Sequence, residues 1–284
     1  MGISGAAPLA LGTAAVACGA AFLWNVGALP GMASRNVVAY LAGLLLGWLA
    51  HKVAHRGHGA AILFGLCCIL LAAVLAIGTE LDGVTRWLPL GPFMVQPALV
   101  LCPLILAIVA SREGRHWRAF VLLPLLLIAL QPDAATSFAL AVGVAVLMIG
   151  ASRNSRRGWS RRRIIVAVGA MTLAVAGLLV AGIKTPPPVA FVEGTVGIAA
   201  LSGLPAMALH AGAIGLAVWA LASRGSPADL ALAAYLAVVA IAAVFWAFPM
   251  PIAGAGPSHL IGFGIAIGWL AEGVRRARRQ RAFG

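Results

Sequence analysis

Residues 82–111 read DGVTRWLPLGPFMVQPALVLCPLILAIVAS, and this stretch joins a helix-breaking loop to a long apolar run. Four residues that break helices follow one another in the loop: Gly83, Pro89, Gly91 and Pro92. The apolar run after them begins at Pro97, and proline suits the first turn of a helix. We therefore predict a tight hairpin in a membrane interface, anchored by Trp87, that leads directly into a membrane helix.

The rest of the chain has the composition of a membrane protein. Of its 284 residues, 62% are hydrophobic and 10% are charged, and the mean hydropathy is +1.03. Such a chain lacks the polar side chains to cover a water-soluble core, which excludes soluble enzymes, zinc-finger proteins and disulfide-stapled secreted modules. We predict an all-α polytopic membrane protein with about ten transmembrane helices in one domain over residues 1–284. The ten apolar runs lie at 8–28, 36–50, 59–79, 95–111, 118–131, 134–151, 164–182, 194–222, 228–248 and 258–274.

The basic residues alternate between the loops in a way that predicts an orientation. Of the 20 Lys and Arg residues, 17 fall after the even-numbered apolar runs, the last five of them in a basic tail over residues 275–284. The other three are Arg35, Arg86 and Lys184. Because cytoplasmic loops carry the excess of Lys and Arg, both termini and the basic tail are predicted to be cytoplasmic. The net charge of +13 then indicates membrane lipids as partners and gives no reason to expect a nucleic acid.

The acidic residues divide into two groups once the sides are assigned. Glu113 lies among arginines, Asp229 follows Ser226-Pro227 as a helix-capping residue does, and Glu272 precedes Arg275 by one helical turn. The other four are all predicted at the outer face: Glu80, Asp82, Asp133 and Glu193. For the first two of these four, marking a helix end is the simpler interpretation.

Several residues within the apolar runs have structural interpretations. His210 is predicted to be a hydrogen-bonded packing residue, although a proton relay stays open for a group at that depth. Two pairs of glycines have GxxxG spacing, which predicts close helix packing: Gly43 with Gly47, and Gly264 with Gly268. The four cysteines have no paired spacing, so we predict no metal site, no disulfide and no cofactor.

Two further segments interrupt the helical pattern at the outer face. Residues 130–137 read LQPDAATS, where Pro132 disfavours a helix at Gln131 and so predicts an elbow that holds Asp133 at the membrane edge. Residues 248–260 read FPMPIAGAGPSHL, and three prolines and two glycines interrupt the chain there before the final helix.

These three segments, in this order, resemble the SEDS family of FtsW/RodA-type membrane proteins. The hairpin is similar to the family pattern at Gly83, Arg86, Trp87, Leu88, Leu90, Gly91, Pro92, Phe93, Gln96 and Pro97. The elbow matches at Gln131, Pro132, Asp133, Ala135 and Thr136, and the last loop at Met250, Pro251, Ile252, Gly254, Gly256 and Ser258. The resemblance implies ten spans with cytoplasmic termini in a bacterial inner membrane, and a role in cell shape or division.

The chain departs from the family pattern in the loop between the seventh and eighth runs. In the family this loop is long and carries an acidic residue implicated in polymerising lipid-linked disaccharide. Here the loop covers only residues 182–193, and Glu193 stands near the place of that acid. The polar segment and the paired acidic residues that flank it in the family have no counterpart.

The resemblance implies a set of site residues and leaves two functions open. Glu193 or Asp133 would be the catalytic base, whereas Arg86, Lys184, Gln131 and Gln96 would bind the substrate. In the alternative interpretation, Asp133 caps the sixth span and Glu193 caps the eighth.

The short loop favours a non-catalytic or divergent scaffold subunit of a membrane complex, and this is the function that we expect from the sequence. The retained motifs favour the alternative, a peptidoglycan-type glycosyltransferase that polymerises lipid-linked disaccharide, and whether the chain is an enzyme stays open. A lipid carrier or flippase is the third function, and it has least support. The resemblance implies another membrane protein as partner, such as a single-span transpeptidase, and a lipid-linked sugar.

Overall fold

The computed structural model describes most of the chain: residues 7–81, 83–91, 93–112, 117–153, 160–181, 189–246 and 248–283. Its first part contains α1 (Ala7–Asn25), α2 (Pro30–Ala54), α3 (Gly59–Ile77), β1 (Thr79–Leu81), β2 (Val84–Leu90), β3 (Phe93–Val95) and α4 (Pro97–Ser111). The middle contains α5 (Trp117–Phe120), α6 (Leu122–Ala129), α7 (Ala134–Arg153) and α8 (Arg161–Ala181). The last part contains α9 (Thr195–Leu201), α10 (Leu204–Ala222), α11 (Pro227–Phe245) and α12 (Pro257–Phe283).

The helices confirm the prediction of an all-α polytopic membrane protein. Seven of those within the described residues are long and apolar enough to cross a membrane. Each of the ten apolar runs corresponds to one helix or to a pair of consecutive helices. The number of crossings and the side of each terminus stay predictions.

Two of the predicted single spans are each divided in the structure, which corrects the sequence interpretation. The run at 118–131 is broken at Val121 into α5 and α6. The run at 194–222 is broken at Ser202 and Gly203, where Gly203 has φ +91°, a value that favours glycine. Thr195 in α9 hydrogen-bonds His210 in α10 at 3.0 Å, so α9 folds back along α10 and does not extend it.

The predicted hairpin is present and forms a small three-stranded sheet. β2 pairs with β3 in the antiparallel sense, with Leu90 opposite Phe93 across the turn at Gly91. β1 also pairs with β2, because Gly83 has φ +75° and permits a second tight turn. This first turn was not predicted from the sequence. The sheet is followed at once by α4, whose first residue is Pro97.

The two GxxxG pairs pack α2 against α12, as predicted. A Cβ atom added at Gly43 would collide with the carbonyl oxygen of Ile261, and one at Gly47 with that of Ile265. On the opposite helix, a Cβ at Gly264 would collide with Tyr40, and one at Gly268 with Leu44. The two backbones therefore approach as closely as small residues allow, within one chain.

At the end of the bundle opposite the sheet, basic side chains hold helix ends together. Arg112 after α4 donates to the backbone oxygen of Ala54 at the end of α2. Arg224 after α10 donates to the backbone oxygen of Leu270 in α12 at 3.3 Å. Arg224 also forms an ion pair with Asp229. Asp229 caps α11 as predicted, because it forms a capping box with Ser226. The basic segment predicted as a tail over residues 275–284 continues α12 as far as Phe283.

Candidate functional site

Four segments meet at the end of the bundle that carries the sheet: the hairpin, the elbow, the segment before α9 and the loop before α12. The backbone NH of Met250 donates to Val192 at 2.9 Å and that of Ala255 donates to Phe191 at 2.6 Å. These bonds join the segment before α9 to the loop before α12. Asn36 of α2 is 1% exposed and donates to the Gly254 oxygen at 2.8 Å, which ties the same loop to α2.

Asp133 is buried at the centre of this region and is held from two sides. Its Oδ2 accepts a hydrogen bond from Gln96 Nε2 at 2.7 Å, so the hairpin and the elbow are in direct contact. Its Oδ1 accepts from the backbone NH of Thr136 at 3.2 Å, which confirms the capping interaction expected at the start of α7. The backbone NH of Gln96 donates to Ser258 Oγ at 3.0 Å, so the first turn of α12 joins the same network.

Arg86 of β2 is 4% exposed and lies between aromatic rings. Its guanidinium carbon is 4.4 Å from the Trp87 ring centroid and 5.3 Å from that of Phe248. Burial lowers the pKa of Arg86, and the nearby carboxylates of Asp133 and Glu193 act in the opposite direction. Its Nε has no hydrogen-bond partner. The site therefore contains a buried cation that keeps hydrogen-bonding capacity for an anion.

Glu193 is 8% exposed, and its Oε2 accepts a hydrogen bond from the backbone NH of Val189 at 2.7 Å. The alternative that Glu193 caps the next helix is wrong, because Gly194 is the N-cap residue of α9 and no side chain caps it. Burial raises the pKa of Glu193, whereas the Val189 NH and the charge of Arg86 lower it. A carboxylate with a raised pKa beside a buried cation is a common arrangement for a general base.

We call the group formed by Arg86, Gln96, Asp133, Glu193 and Ser258 the outer cluster. It lies where many buried polar atoms lack partners. Eight buried side-chain N or O atoms in the described part of the chain have no hydrogen-bond partner, and six of these belong to the cluster or to the segments that form it. The six are Arg86 Nε, Gln96 Oε1, Gln131 Oε1, Thr136 Oγ1, Ser137 Oγ and His259 Nε2. Buried polar atoms in proteins are normally paired, so this concentration indicates a place where water or a ligand binds.

The remaining residues that the sequence placed at the site or the outer face form no hydrogen bond with Asp133 in the described part of the chain. Gln131 is fully buried, and its Nε2 donates to the Leu71 oxygen of α3 at 2.8 Å. Glu80 lies exposed in β1, in agreement with a minor structural role. Lys184 and Asp82 lie outside the described residues.

Sequence reasoning did not assign Ser258 or its neighbour His259 to the site. Ser258 was only part of the last-loop motif, although it accepts a hydrogen bond from Gln96. His259 was not singled out, although it is 4% exposed. One sequence signal could have indicated His259, namely a histidine that directly follows the Pro-Ser start of a helix. His210, in contrast, hydrogen-bonds Thr195 and contacts Phe22 edge-on, as expected of a packing residue. Among the described residues, no three His, Cys, Asp or Glu side chains come together as a metal site.

Comparison with known proteins identifies the family. The chain matches the sequence profile of the FtsW, RodA and SpoVE cell cycle proteins over residues 16–184, which is more than half of its length. The chain belongs to this family. As an FtsW/RodA-type protein, it is a SEDS-family, multi-pass membrane protein, as the hairpin and elbow predicted.

Individual relatives match about half of the chain. The probable peptidoglycan glycosyltransferase FtsW of Allochromatium vinosum is 30% identical over 159 residues, which are 50% of this chain and 39% of that protein. The peptidoglycan glycosyltransferase MrdB of Escherichia coli K12 is 34% identical over 152 residues, 49% of this chain and 39% of that one. The chain thus aligns with about two-fifths of these relatives.

Solved structures agree with the fold over nearly the whole chain. The rod shape determining protein RodA of Thermus thermophilus has a TM-score of 0.60 at 22% identity and covers 95% of this chain and 96% of its own. A chain of a peptidoglycan synthase complex, described for its coordination of polymerization and crosslinking, has a TM-score of 0.63 at 24% identity and covers 94% of this chain and 96% of its own. The fold of this FtsW/RodA-type protein therefore includes α9 to α12, which lie beyond the segment matched by the family profile.

Proposed function

We propose that this FtsW/RodA-type protein is a glycosyltransferase of the bacterial inner membrane that acts on a lipid-linked disaccharide at the outer cluster. The observation that carries the proposal is the buried Arg86, with an unpartnered Nε, near the carboxylates of Glu193 and Asp133. A fold gains nothing in stability from a buried cation left partly unpaired, so such a group is more readily explained by a ligand.

Four residues of the outer cluster have roles in the proposed reaction. Glu193 accepts the proton of an acceptor sugar hydroxyl, whose oxygen then bonds to the anomeric carbon of the donor sugar. The bond between that carbon and the diphosphate oxygen breaks, and the lipid diphosphate leaves with its electron pair. Arg86 stabilises the negative charge of the leaving diphosphate. Gln96 and Asp133 hold the hairpin against the elbow and keep Arg86 in place.

The relatives support a partner for this activity. One structural neighbour comes from a peptidoglycan synthase complex, which joins polymerization to crosslinking. We propose that the present chain also acts with another membrane protein, such as a single-span transpeptidase. Because the loop over residues 182–193 is short, the partner would contribute part of the cover over the bound sugar.

A non-catalytic scaffold is the second candidate, and one observation favours it. Both oxygens of Asp133 are already bound, by Gln96 Nε2 and the Thr136 NH, and Glu193 Oε2 is bound by its own backbone segment. Carboxylates held in this way have a structural use without any chemistry. In this alternative the outer cluster would simply fix the loops against a partner protein.

Glu193→Gln separates these two functions. Gln keeps the size of the side chain and can still accept from the Val189 NH, but it does not take a proton at neutral pH. We expect purified protein with its native partner to make glycan from lipid-linked disaccharide, and Glu193→Gln to lower the rate at least ~10²-fold, the scale of a general base. Glu80→Gln is the matched control, because Glu80 is exposed in the same outer region, and it should leave the rate unchanged.

Two other outcomes would contradict this expectation. If the wild-type protein and its partner make no glycan, and the Glu193→Gln variant restores the wild-type phenotype to a strain that lacks the protein, the scaffold function is correct. A wild-type rate in Glu193→Gln would leave the protein an enzyme but remove Glu193 as its base.

A further inference from the structure

Four helices, α4, α10, α11 and α12, enclose a narrow cavity with about 10 Å³ of room for a water molecule. Its lining is apolar except for two residues, Tyr235 of α11 and His259 of α12. The side-chain polar atoms Tyr235 OH and His259 Nε2 are buried, and neither has a nitrogen or oxygen partner. The Tyr235 hydroxyl has only the Cys102 thiol beside it, which is a weak hydrogen-bonding group. Volume of this size is about what one water molecule requires.

The protonation of His259 follows from its other contact. Its ring hydrogen-bonds the backbone of Pro249, whose only backbone hydrogen-bonding group is its carbonyl oxygen. Because Nε2 has no partner, Nδ1 is the nitrogen that donates to this oxygen. In a neutral imidazole the proton on Nδ1 leaves Nε2 as an acceptor. His259, which lines the cavity, therefore has a free lone pair on Nε2, and Tyr235, which also lines it, has a hydroxyl group.

These two groups are complementary through one intermediate molecule. A water molecule can donate one hydrogen to His259 Nε2 and accept the hydrogen of the Tyr235 hydroxyl, which satisfies both side chains. Leaving a buried polar group unpaired is unfavourable, so the pair gains stability from such a molecule. An apolar occupant would leave His259 Nε2 unpaired and the Tyr235 hydroxyl with only the weak thiol partner.

We propose that this cavity is a water-binding site, and that the bridge from His259 through water to Tyr235 positions the first turn of α12. His259 directly follows Ser258, whose Oγ accepts the backbone NH of Gln96 at 3.0 Å. Gln96 in turn donates to Asp133 at 2.7 Å. A bridge that fixes His259 thus fixes the contact of α12 with the outer cluster. The same ring lies edge-on to Phe248, at 6.0 Å between centroids, and Phe248 also contacts Arg86. His259 is a positioning residue here, whether or not the cluster is catalytic.

Nitrogen NMR of the protein in lipid bilayers tests the bridge directly. With ¹⁵N-labelled histidine, the His259 signals are assigned by their loss in His259→Asn. We expect a proton on Nδ1, none on Nε2, and transfer of magnetisation from water to this ring. Tyr235→Phe, which removes one oxygen atom, should shift the Nε2 resonance and reduce the transfer. The proposal fails if Nε2 carries the proton or if Tyr235→Phe leaves its resonance unchanged.

The chain offers matched controls for this experiment. Tyr40 is the only other tyrosine, it is buried, and its ring stacks on Phe263 of the same helix α12. Its hydroxyl lies 3.5 Å from Thr13 Oγ1 and does not line the cavity. Tyr40→Phe should therefore leave the His259 signals unchanged. The ring of His210, which is bound to Thr195, should show the same water transfer in all variants.

Thermal unfolding gives a second, independent measurement. Tyr235→Phe and His259→Leu should each lower the Tm, because each leaves the bridging water with an unmet partner. The double variant should lose less than the sum of the two single losses, since it removes both partners of one bridge. Strictly additive losses would overturn the coupling between the two residues.

Discussion

At the scale of single residues, Arg86 gives the outer cluster a buried positive charge. It is surrounded by Trp87, Phe248 and two carboxylates, yet among the described residues it forms no ion pair within 4 Å. An arginine cannot lose its proton in a protein, so its charge persists despite the burial. The positive charge of Arg86 interacts with the carboxylates of Asp133 and Glu193. A bound diphosphate would compete with these carboxylates for the guanidinium group.

The coupling between Arg86 and Glu193 predicts a measurable pH dependence. Burial raises the pKa of Glu193, and the Arg86 charge lowers it, so the two effects oppose each other. Glu193 must be ionised to act as a base, so the reaction should be lost as the pH falls through a value above the ordinary glutamate pKa of about 4.3. Arg86→Gln removes the opposing effect and should raise the pKa of Glu193 further.

Titration by NMR checks this prediction without requiring activity. With ¹³C-labelled glutamate, the Glu193 signal is assigned by its loss in Glu193→Gln, and its midpoint is compared between variants. Arg35→Gln is the control, because Arg35 is exposed and its side chain bonds only the local backbone of Gly31. A Glu193 midpoint that is the same in Arg86→Gln as in the wild type would contradict the coupling.

At the scale of helices and strands, hydropathy predicted where the helices lie but not where they break. Apolar runs of about 20 residues are long enough to span a bilayer, and such runs have few alternatives to helix in a membrane. The division between α9 and α10 was missed because Ser202 and Gly203 are two small residues in a long apolar run and lower its mean hydropathy only slightly. The turn there depends on the contact of Thr195 with His210, which is not visible in local sequence.

The outer cluster was only partly predictable for the same reason. Asp133 and Arg86 belong to motifs with breaks and charges in an apolar background, so the sequence marks them out. Ser258, His259 and Asn36 take part through contacts between distant segments, such as the bond of Asn36 to Gly254 across 218 residues. A single sequence contains no signal for a pairing of that kind. Gln131 was assigned to the site by its motif, but its amide faces α3.

The packing of α2 against α12 predicts a strong difference between glycines. Gly47→Ala should lower the Tm, because the added methyl group would collide with the backbone of Ile265. Overpacking of this kind costs about 1–3 kcal/mol. Gly65→Ala in α3 is the matched control, since nothing lies within 4 Å of the added Cβ and alanine favours helix over glycine. Its Tm should stay the same or rise, and equal losses in the two variants would contradict the close packing.

At the scale of the whole molecule, the two ends of the bundle have different chemistry. One end holds the sheet, the elbow and the buried groups of the outer cluster. At the other, Arg112 and Arg224 bind the backbone of neighbouring helices, and further basic residues continue along α12. An enzyme that uses a lipid-linked sugar needs its polar site at one membrane face, and the fold provides a single such face among the described residues.

The distribution of Lys and Arg then predicts which end faces the cytoplasm, and cysteine labelling measures it. The four native cysteines are replaced, and Ser155→Cys and Thr185→Cys are made separately in that background. Both positions lie outside the described residues, in loops that the charge count assigns to opposite sides. In intact spheroplasts, a membrane-impermeant thiol reagent should label Thr185→Cys and not Ser155→Cys, while both should react after permeabilisation. The unlabelled cysteine-free parent is the control. Because 17 of 20 basic residues lie on the side of Ser155, the opposite pattern would place the outer cluster in the cytoplasm and exclude a sugar donor presented from outside.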